Sequence, residues 1–181
     1  IYTMFNRDFH VVPDVPRPYD RYYISVDYGT INPTSMGLWG RAAGKWYRIR
    51  EYYFDSRKVG RQLTDEEHYT GLEKLAGDLS IRAVIVDPSA ASFIETIRRH
   101  GRFYVEKASN SVLDGIRDVA TRLQSGDIFF CECCTDCIRE FGLYRWDEKA
   151  PMDRPIKEND HAMDDVRYFV HKIFAPEIFS F

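Results

Sequence analysis

The stretch Tyr22-Tyr23-Ile24-Ser25-Val26-Asp27-Tyr28-Gly29-Thr30 decides how this chain reads. Five residues of strand-forming character run into an aspartate, and a Gly and a Thr then break the run. A carboxylate at the end of an apolar strand is costly to desolvate unless something compensates it. Two later positions have the same character. Ala83-Val84-Ile85-Val86-Asp87 is a short, continuously apolar run ending in an acid, the pattern of a strand buried on both faces. Asp164 and Asp165 sit on the last amphipathic segment. The reading turns on whether these acids meet, and whether a metal ion pairs them.

The surrounding pattern gives the frame. Thr34 to Arg41 and Trp46 to Phe54 read as strands joined by the turn Ala42-Ala43-Gly44-Lys45, which with Tyr22–Asp27 makes a three-stranded antiparallel meander. Thr64-Asp65-Glu66-Glu67 is a capping box opening a helix to about Leu79. After the strand at 83–87 come a helix from Ala90 to His100 closed by Gly101, a strand at Phe103-Tyr104-Val105, and a helix over Val112–Leu123 ending at Gly126. Asp127 to Phe130 reads as a short strand and Thr135 to Tyr144 as a helix. Asp147 to Glu158, broken by Pro151 and Pro155, reads as a loop or exposed hairpin. Asp160 then caps a final helix whose apolar stripe is Ala162, Val166, Phe169, Val170 and Ile173. Three antiparallel strands followed by right-handed crossovers predict an α/β fold: a mixed sheet of five or more strands with helices on both faces.

Composition narrows the function classes. The chain has 181 residues, 44% hydrophobic and 29% charged, enough for one domain with a real core. No apolar run approaches the roughly 20 residues of a membrane span, and the N-terminus shows no signal-peptide pattern. Residues 1–20, with Val12-Pro13-Asp14-Val15-Pro16-Arg17-Pro18, read as an extended linker from something upstream, leaving 21–181 as the folded domain. A first residue other than Met fits an excised piece. Net charge is −3, which argues against coating nucleic acid by bulk charge and is compatible with a nuclease whose clustered acids are offset by ions. The basic clumps, Arg48 with Arg50 among them, read as solvated faces. Cys131, Cys133, Cys134 and Cys137 lack the separated second pair of a zinc ribbon, so they read as buried or half-buried thiols.

The acids converge on paper. Parallel neighbouring strands leave their C-terminal ends on one sheet edge, where α/β proteins place ligands. If the strand ending at Asp87 lies beside the one ending at Asp27, both carboxylates come within a metal's reach, and hard divalent ions want oxygen ligands. On the last helix His161, Asp164, Asp165 and Tyr168 fall at i, i+3, i+4 and i+7 and share one side. Helical spacing does not choose between Asp164 and Asp165. Singly, each acid also reads as a turn or cap residue; the set, in this strand order, reads as a site.

These residues resemble a known family. Ile24-Ser25-Val26-Asp27-Tyr28-Gly29, Val84-Ile85-Val86-Asp87-Pro88-Ser89-Ala90 and Asn159-Asp160-His161-Ala162-Met163-Asp164, followed by Arg167-Tyr168, resemble the C-terminal nuclease domain of the terminase large subunit of tailed bacteriophages, a ribonuclease-H-like domain of DNA-packaging motors. Asp-His-Ala-Met-Asp with Arg-Tyr is the most specific part, and Pro155-Ile156-Lys157-Glu158-Asn159 before it has the same character. The resemblance implies a metal-dependent endonuclease that cuts concatemeric viral double-stranded DNA. Asp27, Asp87 and Asp164 would be the metal-binding acids, His161 would lie at the site, and Asp165, where the family usually has a small residue, would be a further candidate ligand. Two Mg2+ or Mn2+ ions roughly 4 Å apart, both bridged by Asp27, would carry phosphodiester hydrolysis. Lys107, Lys149, Arg154 and Lys157 are candidate phosphate contacts that position DNA without reading sequence.

The resemblance also implies partners: the ATPase domain of the same polypeptide, the small terminase subunit and the portal of the procapsid, in the cytoplasm of the infected host. No G-x-x-x-x-G-K-[ST] occurs, so this piece is expected to cut rather than translocate. Three other readings share features: a resolvase-like nuclease of the same fold, an actin/Hsp70-like nucleotide-binding protein suggested by Asp27-Tyr28-Gly29-Thr30, and an inert DNA-docking module.

Overall fold

A computed structural model describes residues 1–176. The elements in chain order are α1 (Arg7–His10), β1 (Val11–Val12), β2 (Arg21–Asp27), β3 (Thr34–Ala42), β4 (Lys45–Phe54), α2 (Ser56–Val59), α3 (Asp65–Ala76), β5 (Ile81–Val86), α4 (Ala91–His100), β6 (Val105–Lys107), α5 (Val112–Ser125), β7 (Ile128–Cys131), α6 (Thr135–Leu143) and α7 (His161–Ile173). They build one seven-stranded mixed sheet in the order β1-β7-β4-β3-β2-β5-β6.

The predicted meander is present: β2 pairs antiparallel with β3, and β3 with β4. Its β3–β4 turn holds Ala43 and Gly44 both at positive φ (50° and 76°), the mirror-image turn whose twist suits a two-residue hairpin. β5 then lies parallel to β2, with Val26 opposite Val86. Asp27 and Asp87 therefore leave the same sheet edge on adjacent strands. The helices divide between the faces. α3 and α4 bury Tyr69, Leu72, Phe93 and Ile97 against Ile24, Val26, Leu38 and Val84. On the other face α5, α6 and α7 bury Val119, Phe141, Val166 and Phe169 against Trp39, Trp46 and Phe130. Alternation along each strand feeds both cores, which is why the central strands are apolar at nearly every position.

Several boundaries differ from the sequence reading. α3 stops at Ala76, because Gly77 takes positive φ, rather than at Leu79. The sixth strand is Val105–Lys107: Phe103 is buried ahead of it, and Tyr104 is exposed. The predicted strand at 127–130 is Ile128–Cys131, and it joins the sheet parallel to β4. The extended-linker reading of 1–20 describes only the stretch from Pro13 to Asp20. Before it, Tyr2 and His10 are buried, Phe5 stacks on Phe141 at 4.1 Å, and Val11–Val12 add a parallel edge strand to β7. Segment 147–158 is a small hairpin, pinned by Asp147 N–H to Arg154 O (2.8 Å) and Ile156 N–H to Arg145 O (3.0 Å).

Arg48 is not on a solvated face. It is fully buried and pairs with Asp165, and Gly37 on β3 gives it room, since a Cβ there would lie 2.6 Å from Arg48 Cζ. All four cysteines are free; Cys131, Cys134 and Cys137 are buried and Cys133 is exposed.

Candidate metal centre

The sheet edge carrying Asp27 and Asp87 faces the start of α7, and the space between them is a cavity of about 400 Å³. It is lined by Asp27, Asp87, Asp160, His161, Asp164 and Lys157, among others. A larger cleft of about 630 Å³, between β4 and α3, contains none of these acids. The chemistry lies in the smaller one.

Asp27 is held at the end of β2 by the ladder on both sides and is only 8% exposed. Its Oδ2 lies 3.1 Å from His161 Nδ1. His161 Nε2 in turn lies 3.5 Å from Asp160 Oδ1, so carboxylates flank both ring nitrogens. Asp164, one turn on, is met by Arg167 Nη2 at 3.3 Å. Arg167 threads to this position past Gly115 of α5, where a Cβ would sit 2.5 Å from Arg167 Cγ, and it also donates to Ser111 O at 3.3 Å. Asp87 is turned onto the start of α4, accepting from Ser89 N–H (3.0 Å) and Ser89 Oγ–H (2.8 Å).

Asp165 goes elsewhere. One residue along a helix is a rotation of about 100°, which carries its carboxylate out of the cavity and into the core. There it accepts from Ser25 Oγ (2.9 Å), Ser35 Oγ (2.5 Å) and both terminal nitrogens of Arg48. The shared side read from spacing therefore splits between the two neighbours: Asp164 faces the cavity, and Asp165 is the anion of a buried ion pair. Asp160 differs from the sequence reading too. Its side chain caps nothing; it is buried, lines the cavity, and its Oδ1 has no hydrogen-bond partner.

The crowding has an electrostatic signature. Burial, with Asp164 and Asp165 nearby, pushes the Asp27 carboxyl up to about 7 against the pull of His161. Burial raises Asp164 to about 6, with Asp160 adding to the rise and Arg167 opposing it. Burial works against charge on His161, but its carboxylate neighbours outweigh it and raise its pKa. Four carboxyls, Asp27, Asp87, Asp160 and Asp164, thus line one cavity with only Lys157, Arg167 and His161 as basic groups.

Among the described residues no three acidic, imidazole or thiol groups converge closely enough to grip one ion as they stand, and Asp87 is the acid turned aside. The donor set nevertheless fits a hard divalent cation: carboxylate oxygens, one imidazole and a buried oxygen without a partner.

The four predicted phosphate contacts separate. Lys157 lines the cavity. Lys107 ends β6, parallel to β5, and is exposed on the same sheet edge. Arg154 is ion-paired to Asp147 at 3.1 Å. Lys149 lines a different hollow beside Trp146. Sequence reasoning did not single out Arg167 as a site residue, although its i,i+3 spacing from Asp164 was a usable signal. Glu140 left no signal at all, because its partners are backbone groups of another helix and a hydroxyl of a distant strand.

No family model matches the chain. It is 24% identical over 156 residues to the terminase large subunit of Escherichia phage T5, covering 83% of this chain and 35% of that protein. The large terminase of a thermophilic bacteriophage, solved in complex with ADP, superposes with a TM-score of 0.94 at 51% identity over 97% of this chain and 45% of that one. The large terminase nuclease domain of bacteriophage SPP1, solved with bound Mn, matches with a TM-score of 0.64 at 18% identity, covering 90% of this chain and 94% of that domain. The chain thus spans less than half the length of the T5 protein and of the ADP-bound terminase. Its fold is the ribonuclease-H-like fold of large-terminase nuclease domains, and the resemblance read from the sequence stands.

Proposed function

We propose that this chain is the nuclease part of a phage large terminase: a divalent-metal-dependent endonuclease that cuts concatemeric double-stranded DNA as genomes are packaged. The observation that carries the reading is the cavity at the β2–β5 edge, which Asp27, Asp87 and Asp164 line, with His161 between Asp27 and Asp160. The likeness to a nuclease domain solved with Mn supports a divalent ion.

Asp27, Asp87 and Asp164 would hold two Mg2+ or Mn2+ ions, with His161 beside them. When bound, such ions supply an activated water and stabilise charge on the phosphate and the leaving oxygen. The protein's own residues do the rest. His161, bonded through Nδ1 to Asp27 and with Asp160 beside Nε2, orients Asp27 and can accept or return a proton at Nε2. Arg167 fixes the Asp164 carboxylate. Lys157 at the cavity and Lys107 on the same edge offer phosphate contacts independent of base sequence. Hairpin 147–158 borders this side through Lys157. In the infected cell's cytoplasm the domain would act joined to an ATPase domain in the same polypeptide, with the small terminase subunit and the procapsid portal as partners.

The test is nicking of supercoiled plasmid in Mn2+, with chelator as control. Wild type should nick, while Asp27→Ala should lose roughly two to four powers of ten in rate with its melting temperature retained. Undiminished nicking by that variant would sink the assignment. Linear duplex compared with four-way junctions separates this reading from a resolvase-like one.

A further inference from the structure

α7 begins without a local cap. Asp160 occupies the N-cap position, where a carboxylate ordinarily turns back onto the first-turn N–H groups. Here φ is −122° and ψ −5°, and its side chain bonds none of them. Those donors are met from another helix. Glu140 of α6 accepts from Ala162 N–H at 2.8 Å and Met163 N–H at 3.2 Å through Oε1. Its Oε2 accepts from the Tyr53 hydroxyl at 2.7 Å, and the side chain is fully buried.

α6 is itself capped in the same way. Glu51 of β4 accepts from Asp136 N–H (2.9 Å) and Cys137 N–H (3.3 Å). Arg48, three residues before Glu51, has its Nε 3.5 Å from Glu51 Oε1 and its guanidinium on Asp165 of α7. The contacts close a ring: β4 caps α6, α6 caps α7, and α7 is tied back to β4. α7 is thereby fixed at its first turn and again at Asp165, on either side of Asp164.

Taking the cap from Asp160 has a consequence at the cavity. A buried carboxylate oxygen without a partner is costly, yet Asp160 Oδ1 is left in that state, with His161 Nε2 beside it at 3.5 Å. We infer that Glu140 is a positioning residue of the site: it caps α7 in place of Asp160, and so frees the Asp160 carboxylate to serve as a fourth acid of the metal centre beside Asp27, Asp87 and Asp164. The second half rests on the metal-centre reading; the first does not.

Two measurements on the 181-residue chain separate the halves. The first is a melting-temperature cycle in chelator. Asp160→Ala should leave the melting temperature unchanged or raised in the wild-type background. In the Glu140→Ala background it should lower it, because Asp160 is then free to swing back as the local cap. Equal lowering in both backgrounds overturns the capping relay. The second is Mn2+ binding by titration calorimetry. Asp160→Asn should weaken binding by about tenfold. Glu140→Ala should weaken it too, and Glu140→Gln, which keeps an acceptor oxygen at Oε1, should restore it. Unchanged Mn2+ affinity in Asp160→Asn overturns the fourth-acid role. Failure of Glu140→Gln to restore binding overturns Glu140 as the positioning residue. A wild-type chain that binds no Mn2+ overturns the functional reading and the Asp160 role together, while the relay still stands or falls on the melting cycle.

Discussion

Asp164 and Asp165 are chain neighbours with opposite tasks, and substitutions should separate them. Asp165→Ala leaves the Arg48 guanidinium buried with its two terminal nitrogens unpaired and only Glu51 beside Nε, which should cost about 3–5 kcal/mol in urea unfolding. Asp164→Ala removes a carboxylate that burial already disfavours but also the partner of buried Arg167; it should cost less stability than Asp165→Ala while Mn2+-dependent nicking disappears. The reverse outcome would mean the two assignments are exchanged. The sequence could not decide between them, because spacing places both on one side of a helix and only the partner does the sorting. Arg48 was the missing partner, and its strand position near Arg50 looked solvated until Gly37 on the neighbouring strand is seen to make room for its side chain. Gly115 supplies a second residue-scale test. A Cβ there would press Arg167 off Asp164, so Gly115→Ala should cost about 1–3 kcal/mol by overpacking and slow nicking as well. Destabilisation with full activity would show that the Arg167–Asp164 contact does not matter for cutting.

At the scale of elements, what could be read in advance was what the chain encodes locally. The capping box opening α3 is present as read: Thr64 Oγ1 accepts from Glu67 N–H at 3.1 Å, and Glu67 returns the bond to Thr64 N–H at 3.2 Å. α3 packs on the sheet face opposite α7, so Thr64→Ala should lower stability by about 1 kcal/mol and leave nicking unchanged. The same helix buries His68 beside Tyr52, and burial lowers its pKa. The folded His68 then refuses a proton that the unfolded chain accepts near pH 6.5. Its contribution is complete above that pH and is lost as pH falls below it. The difference in unfolding free energy between wild type and His68→Gln should therefore shrink from about pH 7.5 to about 5.5; a constant difference would show that His68 titrates alike in both states. α7 is the contrasting case. Its apolar stripe and its cavity-facing His161 were legible from periodicity, but its cap was misassigned to Asp160. The true cap is a glutamate on another helix, and a tertiary contact of that kind has no sequence period.

For the whole molecule, the sheet edge that gathers the acids followed from strand order: one parallel pairing, β2 with β5, places Asp27 beside Asp87. The far edge did not follow, because Val11–Val12 is too short to show alternation and residues 1–12 pack by aromatic contacts spread thinly along the chain. The gathered acids give the fold a testable debt of charge. With Asp27 pushed up to about 7 and Asp164 to about 6, the cation-free domain holds protons where a divalent ion would serve better. An ion that binds only the folded state stabilises it by mass action, about 2.7 kcal/mol at a hundredfold excess over its dissociation constant. For a chain of this length that is a rise of roughly 5–10 °C in melting temperature. Mn2+ should produce such a rise, chelator should reverse it, and Asp27→Asn should abolish it. An equal rise in wild type and Asp27→Asn would place the ion somewhere other than this cavity, and would remove the electrostatic argument for the site along with it.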